Sequence, residues 1–224
     1  MFLIVATFKS NKTQSEVASW LKEVSPAARS SQAQIVVAPS FPYLSLVSSP
    51  FSLCAQDVSP FPPGSYTGAV SAGQLKDLSV KYCLIGHSER RRYFHETSVE
   101  IASKAENLLE AGITPILCLA DEDITPQLAA LSDSLKSKII YCFEPPADIG
   151  GTETAPLDNI KSVLTHLTSL LGPSTRLMYG GSVNADNLAS LLSLPLTGVL
   201  VSTASLKTSD FLATINSYHL SSKA

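Results

Sequence analysis

Short apolar runs alternate with amphipathic stretches along the whole chain, and this alternation is the main signal of its fold. Eight runs of four to six residues are mostly apolar, as expected for strands that are buried on both faces. The predicted strands are Leu3–Thr7, Gln34–Ala38, Ser52–Gln56, Tyr82–Gly86, Thr114–Leu119, Ile139–Phe143, Arg176–Tyr179 and Gly198–Ser202.

The stretches between these runs have the spacing of apolar residues that is typical of helices. Two of them begin with the spacing of a capping box, Thr13 with Glu16 and Thr97 with Glu100. The predicted helices are Gln14–Val24, Tyr43–Val47, Ala72–Leu78, Ser98–Ala111, Thr125–Ser134, Leu157–Leu171, Ala185–Leu192 and Ser209–Tyr218.

Strands that alternate with helices predict a sheet of parallel strands. Eight such units with no segment left over favour closure into a (β/α)8 barrel over an open sheet. No linker or shift in composition divides the chain, and 224 residues suit one barrel. We therefore expect an α/β protein with one domain over residues 1–224.

Composition narrows the range of partners and compartments. A net charge of −3 provides no long-range attraction to nucleic acid or to an anionic membrane. Because the apolar N-terminal run lacks a basic region before it and no run is long enough to span a bilayer, we expect a cytoplasmic protein. The four cysteines fall in strand-like runs without a C-x-x-C motif, which indicates buried small side chains in a reducing compartment. A structural disulfide or a metal site is the alternative.

Titratable residues stand where three of the predicted strands end. Lys9 follows the first strand, His87 and then Glu89 follow the fourth, and Glu144 follows the sixth. Alone, each residue is compatible with an ordinary structural or solvated role. In a closed barrel, however, the carboxyl ends of the strands converge, and active sites are built there. A lysine could stabilise an anion, and a histidine with a carboxylate could move protons.

Three loops at the same end of the barrel add to this picture. After the sixth strand, Pro145-Pro146 stiffens the chain and Gly150-Gly151 loosens it, as in a hinged lid or in an ordinary turn-rich connection. Tyr179–Val183 (YGGSV) follows the seventh strand, and Ser202–Ser205 follows the eighth. Loops at these two positions commonly bind phosphate in such barrels.

An ordered set of motifs covers the chain from end to end and resembles the triosephosphate isomerase family. The strongest is GHSERR at Gly86–Arg91, which matches the family signature at every position. The supporting matches are Lys9, Ala55-Gln56, Tyr66-Thr67-Gly68, Cys118, Glu144-Pro145, Ile149-Gly150, Tyr179–Val183 and Ala204-Ser205-Leu206.

The resemblance implies an isomerase that needs neither cofactor nor metal. It would interconvert dihydroxyacetone phosphate and D-glyceraldehyde 3-phosphate in glycolysis and gluconeogenesis. In the roles described for this family, Glu144 is the base, neutral His87 polarises the carbonyl, and Lys9 supplies positive charge. The residues implied to support them are Thr7, Ser88 and Glu89.

The resemblance also implies a phosphate site, a lid and a homodimer. The phosphate would be bound by backbone N–H groups of Gly150, Ser182, Ser202 and Thr203. The lid residues would be Pro145, Pro146, Ala147, Ile149 and Gly151. Dimer contacts would come from an arm at Ser59–Thr67, with Thr67 and Arg90 at the interface.

Several positions depart from the family pattern and affect ligand binding and dimer geometry. Thr7 stands in place of the usual asparagine, Ala69 in place of a glutamate that pairs with arginine across the dimer, and Ser202-Thr203 in place of two glycines. The segment between Cys118 and Ile139 is short, so the fifth helix should be reduced or irregular. The alternative functions are an isomerase of another sugar phosphate and a non-catalytic phosphate-binding or structural homologue.

Overall fold

The computed structural model describes residues 1–145 and 154–221, and its strands form one closed parallel barrel in chain order. β1 pairs with β2 on one side and with β8 on the other, which closes the sheet. The predicted barrel is thus confirmed. Its strands are β1 Leu3–Thr7, β2 Gln34–Ala38, β3 Ser52–Ala55, β4 Tyr82–Ile85, β5 Thr114–Leu119, β6 Ile140–Phe143, β7 Arg176–Tyr179 and β8 Gly198–Val201.

Alternating side chains of each strand fill two apolar layers. In β1, Leu3 and Val5 belong to the cluster inside the barrel, whereas Ile4 and Ala6 belong to the larger cluster beneath the helices. The seam between β8 and β1 depends on Gly198, where a Cβ atom would lie 2.7 Å from the carbonyl oxygen of Leu3. A side chain at this position would therefore push the two strands apart.

The helices surround the barrel, and both predicted capping boxes are confirmed. Backbone N–H groups of Thr13 and Thr97 donate to the carboxylates of Glu16 at 2.7 Å and Glu100 at 2.8 Å. In the described ranges the α-helices are α1 Gln14–Ser30, α2 Ala72–Asp77, α3 Ser88–Phe94, α4 Ser98–Glu110, α5 Asp121–Ala130, α6 Asp133–Lys136, α7 Leu157–Leu171, α8 Ala185–Leu191 and α9 Thr208–Ser221. Within the same ranges, Phe41–Leu46 and Thr203–Ser205 form 3-10 turns.

Some predicted helix boundaries were wrong. α1 was predicted to end at Val24 but continues through Pro26 to Ser30. The proline removes only one backbone hydrogen bond, and the burial of Val24 and Ala28 against the barrel outweighs that loss. The segment predicted as a helix at Tyr43–Val47 is a 3-10 turn that begins at Phe41.

The segment after β5 also differs from the helix predicted at Thr125–Ser134. α5 starts four residues earlier, where acidic side chains favour a helix N-terminus, and a separate turn of helix, α6, follows it. The fifth helix, expected to be reduced or irregular, is a ten-residue α-helix that contains Pro126. α3 was not predicted, because its sequence was interpreted as a strand end carrying charged residues.

The described residues bear on three further expectations. All four cysteines are free and buried, as the interpretation of small buried side chains requires. Within the ranges that the structure describes, no helix has the length and apolar character needed to cross a membrane. All eight strands belong to one sheet, but a single domain over residues 1–224 stays a prediction.

Candidate active site

The barrel brings three strand-end residues, Lys9, His87 and Glu144, to its carboxyl-end mouth. His87 Nε2 lies 3.6 Å from Glu144 Oε2, and Lys9 Nζ lies 2.5 Å from Glu89 Oε1. Thr7, Lys9, His87 and Glu89 line one cavity of about 320 Å³. The sequence could place each residue at a strand end, but only closure of the barrel brings them together.

The local structure determines which nitrogen of His87 carries the proton. His87 is the N-cap of α3, and its Nδ1 accepts the backbone N–H of Glu89 at 3.2 Å. Because Nδ1 is an acceptor, the proton of the neutral ring is on Nε2. Nε2 is the nitrogen that faces Glu144, so His87 presents a hydrogen-bond donor to the site.

Glu144 is a buried carboxylate with an oxygen that is available for chemistry. Its side chain is only 4% exposed, and its Oε2 is buried without a hydrogen-bond partner among the described residues. A buried polar atom without a partner destabilises the fold and is expected where a ligand or reaction uses it. This oxygen therefore marks Glu144 as a candidate base.

Gly180, directly after β7, makes room for Glu144. A Cβ atom at position 180 would lie 2.6 Å from Glu144 Oε1 and 2.7 Å from its Cγ. The YGGSV motif thus has a steric role toward the carboxylate in addition to the loop role expected from sequence.

Lys9 adopts a left-handed backbone conformation with φ of +49°, which is uncommon and strained for a residue with a side chain. Its carbonyl oxygen accepts hydrogen bonds from Ser40 Oγ at 2.9 Å and Gln56 Nε2 at 3.0 Å. Sequence reasoning missed both residues as parts of the site. Gln56 lies in a matched dipeptide, which was a usable signal, whereas Ser40 carried none.

The proposed phosphate-binding residues that the structure describes line one cavity. Ser182, Ser202 and Thr203 share a cavity of about 570 Å³ beyond the ends of β7 and β8. Ser202 has φ of −102°, so the serine that replaces a family glycine needs no left-handed backbone here. Ser182, in contrast, has φ of +49°.

The lid lies mostly outside the described residues. Of its expected members only Pro145 is described, and it is half-buried directly after Glu144. The other residues that the prediction placed in the lid or its phosphate contact, and that fall outside the described ranges, are Pro146, Ala147, Ile149, Gly150 and Gly151.

Two of the arginines after His87 have structural partners in their own chain. Arg90 forms ion pairs with Asp57, at 2.8 Å, and with Glu96, and both carboxylates also pair with Lys104. Burial raises the pKa of Asp57, and Lys104 opposes this shift. Arg91 donates to the carbonyl oxygen of Gly86 at 2.8 Å, and burial lowers its pKa. These contacts of Arg90 and Arg91 therefore stabilise the segment that carries His87.

Two cysteines lie directly below the carboxylate. Cys118 on β5 and Cys142 on β6 are register partners. Hydrogen bonding with Cys142 and burial raise the pKa of the Cys118 thiol, and burial raises the pKa of Cys142. Both thiols are therefore neutral at physiological pH.

A closed parallel barrel with a histidine and a buried carboxylate at its carboxyl-end mouth is typical of (β/α)8-barrel enzymes that transfer protons. Comparison with known proteins identifies the family within this class to which the chain belongs. The family model described as triosephosphate isomerase matches residues 2–218, so the chain belongs to the triosephosphate isomerase family and is an isomerase.

Curated relatives carry the same family name. The chain is 36% identical over 240 residues to the triosephosphate isomerase of Thermus thermophilus, covering 94% of this chain and 96% of the relative. It is 38% identical over 242 residues to that of Paracidovorax citrulli, covering 95% and 96%. With that of Albidiferax ferrireducens it shares 34% over 241 residues, covering 96% and 98%.

Proposed function

We propose that the protein interconverts dihydroxyacetone phosphate and D-glyceraldehyde 3-phosphate by proton transfer through an enediolate. One observation carries the proposal: His87 Nε2, the donor nitrogen of the neutral ring, lies 3.6 Å from Glu144 Oε2, an oxygen without a hydrogen-bond partner among the described residues. A donor for the carbonyl oxygen and an acceptor for the carbon-bound proton are the two groups that this reaction needs.

Glu144 acts as the base in this mechanism. It removes a proton from the carbon next to the carbonyl group and returns it to the neighbouring carbon, which moves the carbonyl by one position. Because its Oε2 makes no hydrogen bond within the described structure, no protein bond has to break before the proton is accepted. Gly180 leaves the carboxylate the space it occupies.

His87 and Lys9 stabilise the negative charge that develops on the substrate oxygens. The Nε2–H of His87 donates to the carbonyl oxygen and then exchanges protons between the two oxygens of the enediolate. The ammonium group of Lys9 adds positive charge and is held by Glu89. Ser88 supports this arrangement as the first residue of α3, and Thr7 lines the same cavity as Lys9.

The phosphate group binds beyond the ends of β7 and β8. Backbone N–H groups of Ser182, Ser202 and Thr203 are the donors, and the shared cavity of these residues supports this assignment. The resemblance to the family implies a further donor at Gly150, which lies outside the described residues. A closed lid excludes water, which reduces loss of phosphate from the enediolate.

A coupled assay with glyceraldehyde 3-phosphate tests the assignment of the base. Replacing Glu144 with glutamine keeps the shape of the side chain and removes its basicity, so kcat should fall by about 10²- to 10⁴-fold. Equal turnover in the variant and the original protein would refute the role of Glu144. If neither turns over triose phosphate but another aldose phosphate reacts, the substrate assignment is wrong.

We also propose a homodimer formed through the arm at Ser59–Thr67. Phe61 and Tyr66 stack at 4.6 Å on this arm although they are 47% and 42% exposed, and aromatic residues are enriched in interfaces. Thr67 extends the same exposed segment. Arg90 already pairs with Asp57 and Glu96 and stacks on Phe94 in its own chain, so its interface contact would be made by the 26% of its side chain that stays exposed.

Light scattering at micromolar concentration tests the dimer. Phe61→Lys combined with Tyr66→Lys should reduce the mass from that of two chains to that of one, because both aromatic side chains lose their partner surface. A monomer mass for the unaltered protein would refute the proposal.

The free thiols of the described cysteines support a reducing, cytoplasmic location.

A further inference from the structure

Three groups with affinity for metal ions meet inside the barrel below its mouth. Cys118 and Cys142 are direct partners across β5 and β6, and Glu144 follows Cys142 by two residues. One ligand atom from each of the three lies within 4.8 Å of the other two. The two cysteines are 1% and 0% exposed, and the Glu144 side chain is 4% exposed.

Burial alone does not explain why a carboxylate stands beside two thiols. Cys54 also belongs to the apolar cluster inside the barrel and is fully buried, but it is not part of this group. The Oε2 atom of Glu144, moreover, has no hydrogen-bond partner within the described residues. A buried carboxylate beside two sulfur atoms is the kind of environment that a cation satisfies.

We propose that Cys118, Cys142 and Glu144 form a binding site for a thiophilic divalent cation of the Zn²⁺ class. Two sulfur ligands select such ions over Mg²⁺ and Ca²⁺, which prefer oxygen. At Zn–S distances of about 2.3 Å, tetrahedral sulfur ligands lie roughly 3.8 Å apart. Ligand atoms that already lie within 4.8 Å of one another need to move by no more than about 1 Å.

Binding exchanges protons for the metal ion without a change in oxidation state. Each thiol loses its proton, two metal–sulfur bonds form, and two protons pass to solvent. The carboxylate of Glu144 is the third ligand, and a water molecule from the mouth of the barrel is the fourth. The ion reaches the thiols from this mouth, past Glu144.

Occupation of this site stops proton transfer, because the ion holds the carboxylate that accepts the proton. This consequence rests on the proposed function, whereas binding of the ion does not. The protein should therefore be inhibited by Zn²⁺ and recover when a chelator removes the ion.

Cd²⁺ is the probe for a direct test, because its bonds to thiolates produce an ultraviolet charge-transfer band. Titration of the full-length, reduced protein should give a band that saturates at one Cd²⁺ per chain, with release of two protons. Cys142→Ala should lose the band. Cys54→Ala is the matched control, another fully buried cysteine of the barrel interior, and should keep it. No saturable band, or an equal band in Cys142→Ala, would overturn the proposal.

A second variant keeps the test decisive if Cys142→Ala folds poorly. Glu144→Gln retains both thiols and replaces only the charged ligand, so its Kd for Cd²⁺ should rise at least about tenfold. An unchanged Kd would exclude Glu144 as a ligand and overturn the three-residue site. This measurement does not use catalysis, so it stays valid whether or not triose phosphates are the substrate.

Discussion

Alanine at position 180 should damage catalysis by displacing the side chain of Glu144. The added Cβ would lie 2.6 Å from Oε1, whereas Cβ atoms essentially never approach other atoms below 3.0 Å and make ordinary contacts from 3.4 Å. The carboxylate must therefore move by about 0.4 to 0.8 Å. Since a displacement of about 1 Å at a reacting group can reduce the rate by about 10²-fold, we expect a loss of about 10- to 100-fold in kcat.

The kinetic assay should separate this effect from a general loss of stability. We expect KM for glyceraldehyde 3-phosphate to change little, because the phosphate donors are unaltered. Overpacking should also lower the free energy of unfolding by about 1–3 kcal/mol, which leaves the protein folded at 25 °C. Gly73→Ala is the matched control, since the nearest atom to its Cβ lies 3.9 Å away in an exposed part of α2. A kcat within twofold of the original in Gly180→Ala would refute the argument.

Three further variants test the supporting structure. Gln56→Leu removes a hydrogen-bond donor to the Lys9 carbonyl, so the free energy of unfolding, measured in urea, should fall by about 1–3 kcal/mol. KM should rise, and an unchanged KM would show that the placement of Lys9 does not affect substrate binding. Lys104→Met removes one of the two cations paired with the buried carboxylates of Asp57 and Glu96, leaving Arg90 as their shared partner, and should lower the free energy of unfolding by about 3–5 kcal/mol. Lys136→Met, at an exposed ion pair, should change it much less, and equal losses would contradict the role of burial. Hydrogen bonds from the backbone and side chain of Thr97 lower the pKa of Glu100. The ionised carboxylate therefore stabilises the fold above the ordinary pKa of 4.5, and this contribution is lost as pH falls through the lowered pKa. The stability difference between the original and Glu100→Gln, measured by urea unfolding, should therefore disappear in acid; a constant difference from pH 7 to pH 3 would refute this.

Most of the fold could be predicted because local patterns and the closed barrel agree. β1, β2, β5, β7 and α7 begin and end at the predicted residues. The failures have local causes. A proline does not end α1, because packing outweighs one missing hydrogen bond, and the charged run that forms α3 has no apolar stripe to reveal a helix.

The sequence also indicated which side chains could carry the chemistry, but not their arrangement. Placing Lys9, His87 and Glu144 at strand ends follows from the apolar pattern. The matched dipeptide could have drawn attention to Gln56, but the bonds from Ser40 and Gln56 to the Lys9 carbonyl follow only from the fold, since they join segments that are far apart in the chain.

The sequence by itself determined the alternation of strands and helices, the helix caps and the kinds of chemical group at the strand ends, because these depend on neighbours within a few residues. Only the tertiary structure decided the distance between His87 and Glu144, the space that Gly180 leaves, and the meeting of Cys118 with Cys142. These contacts join different strands, so they exist only after the sheet has closed and set the register of β5, β6 and β7.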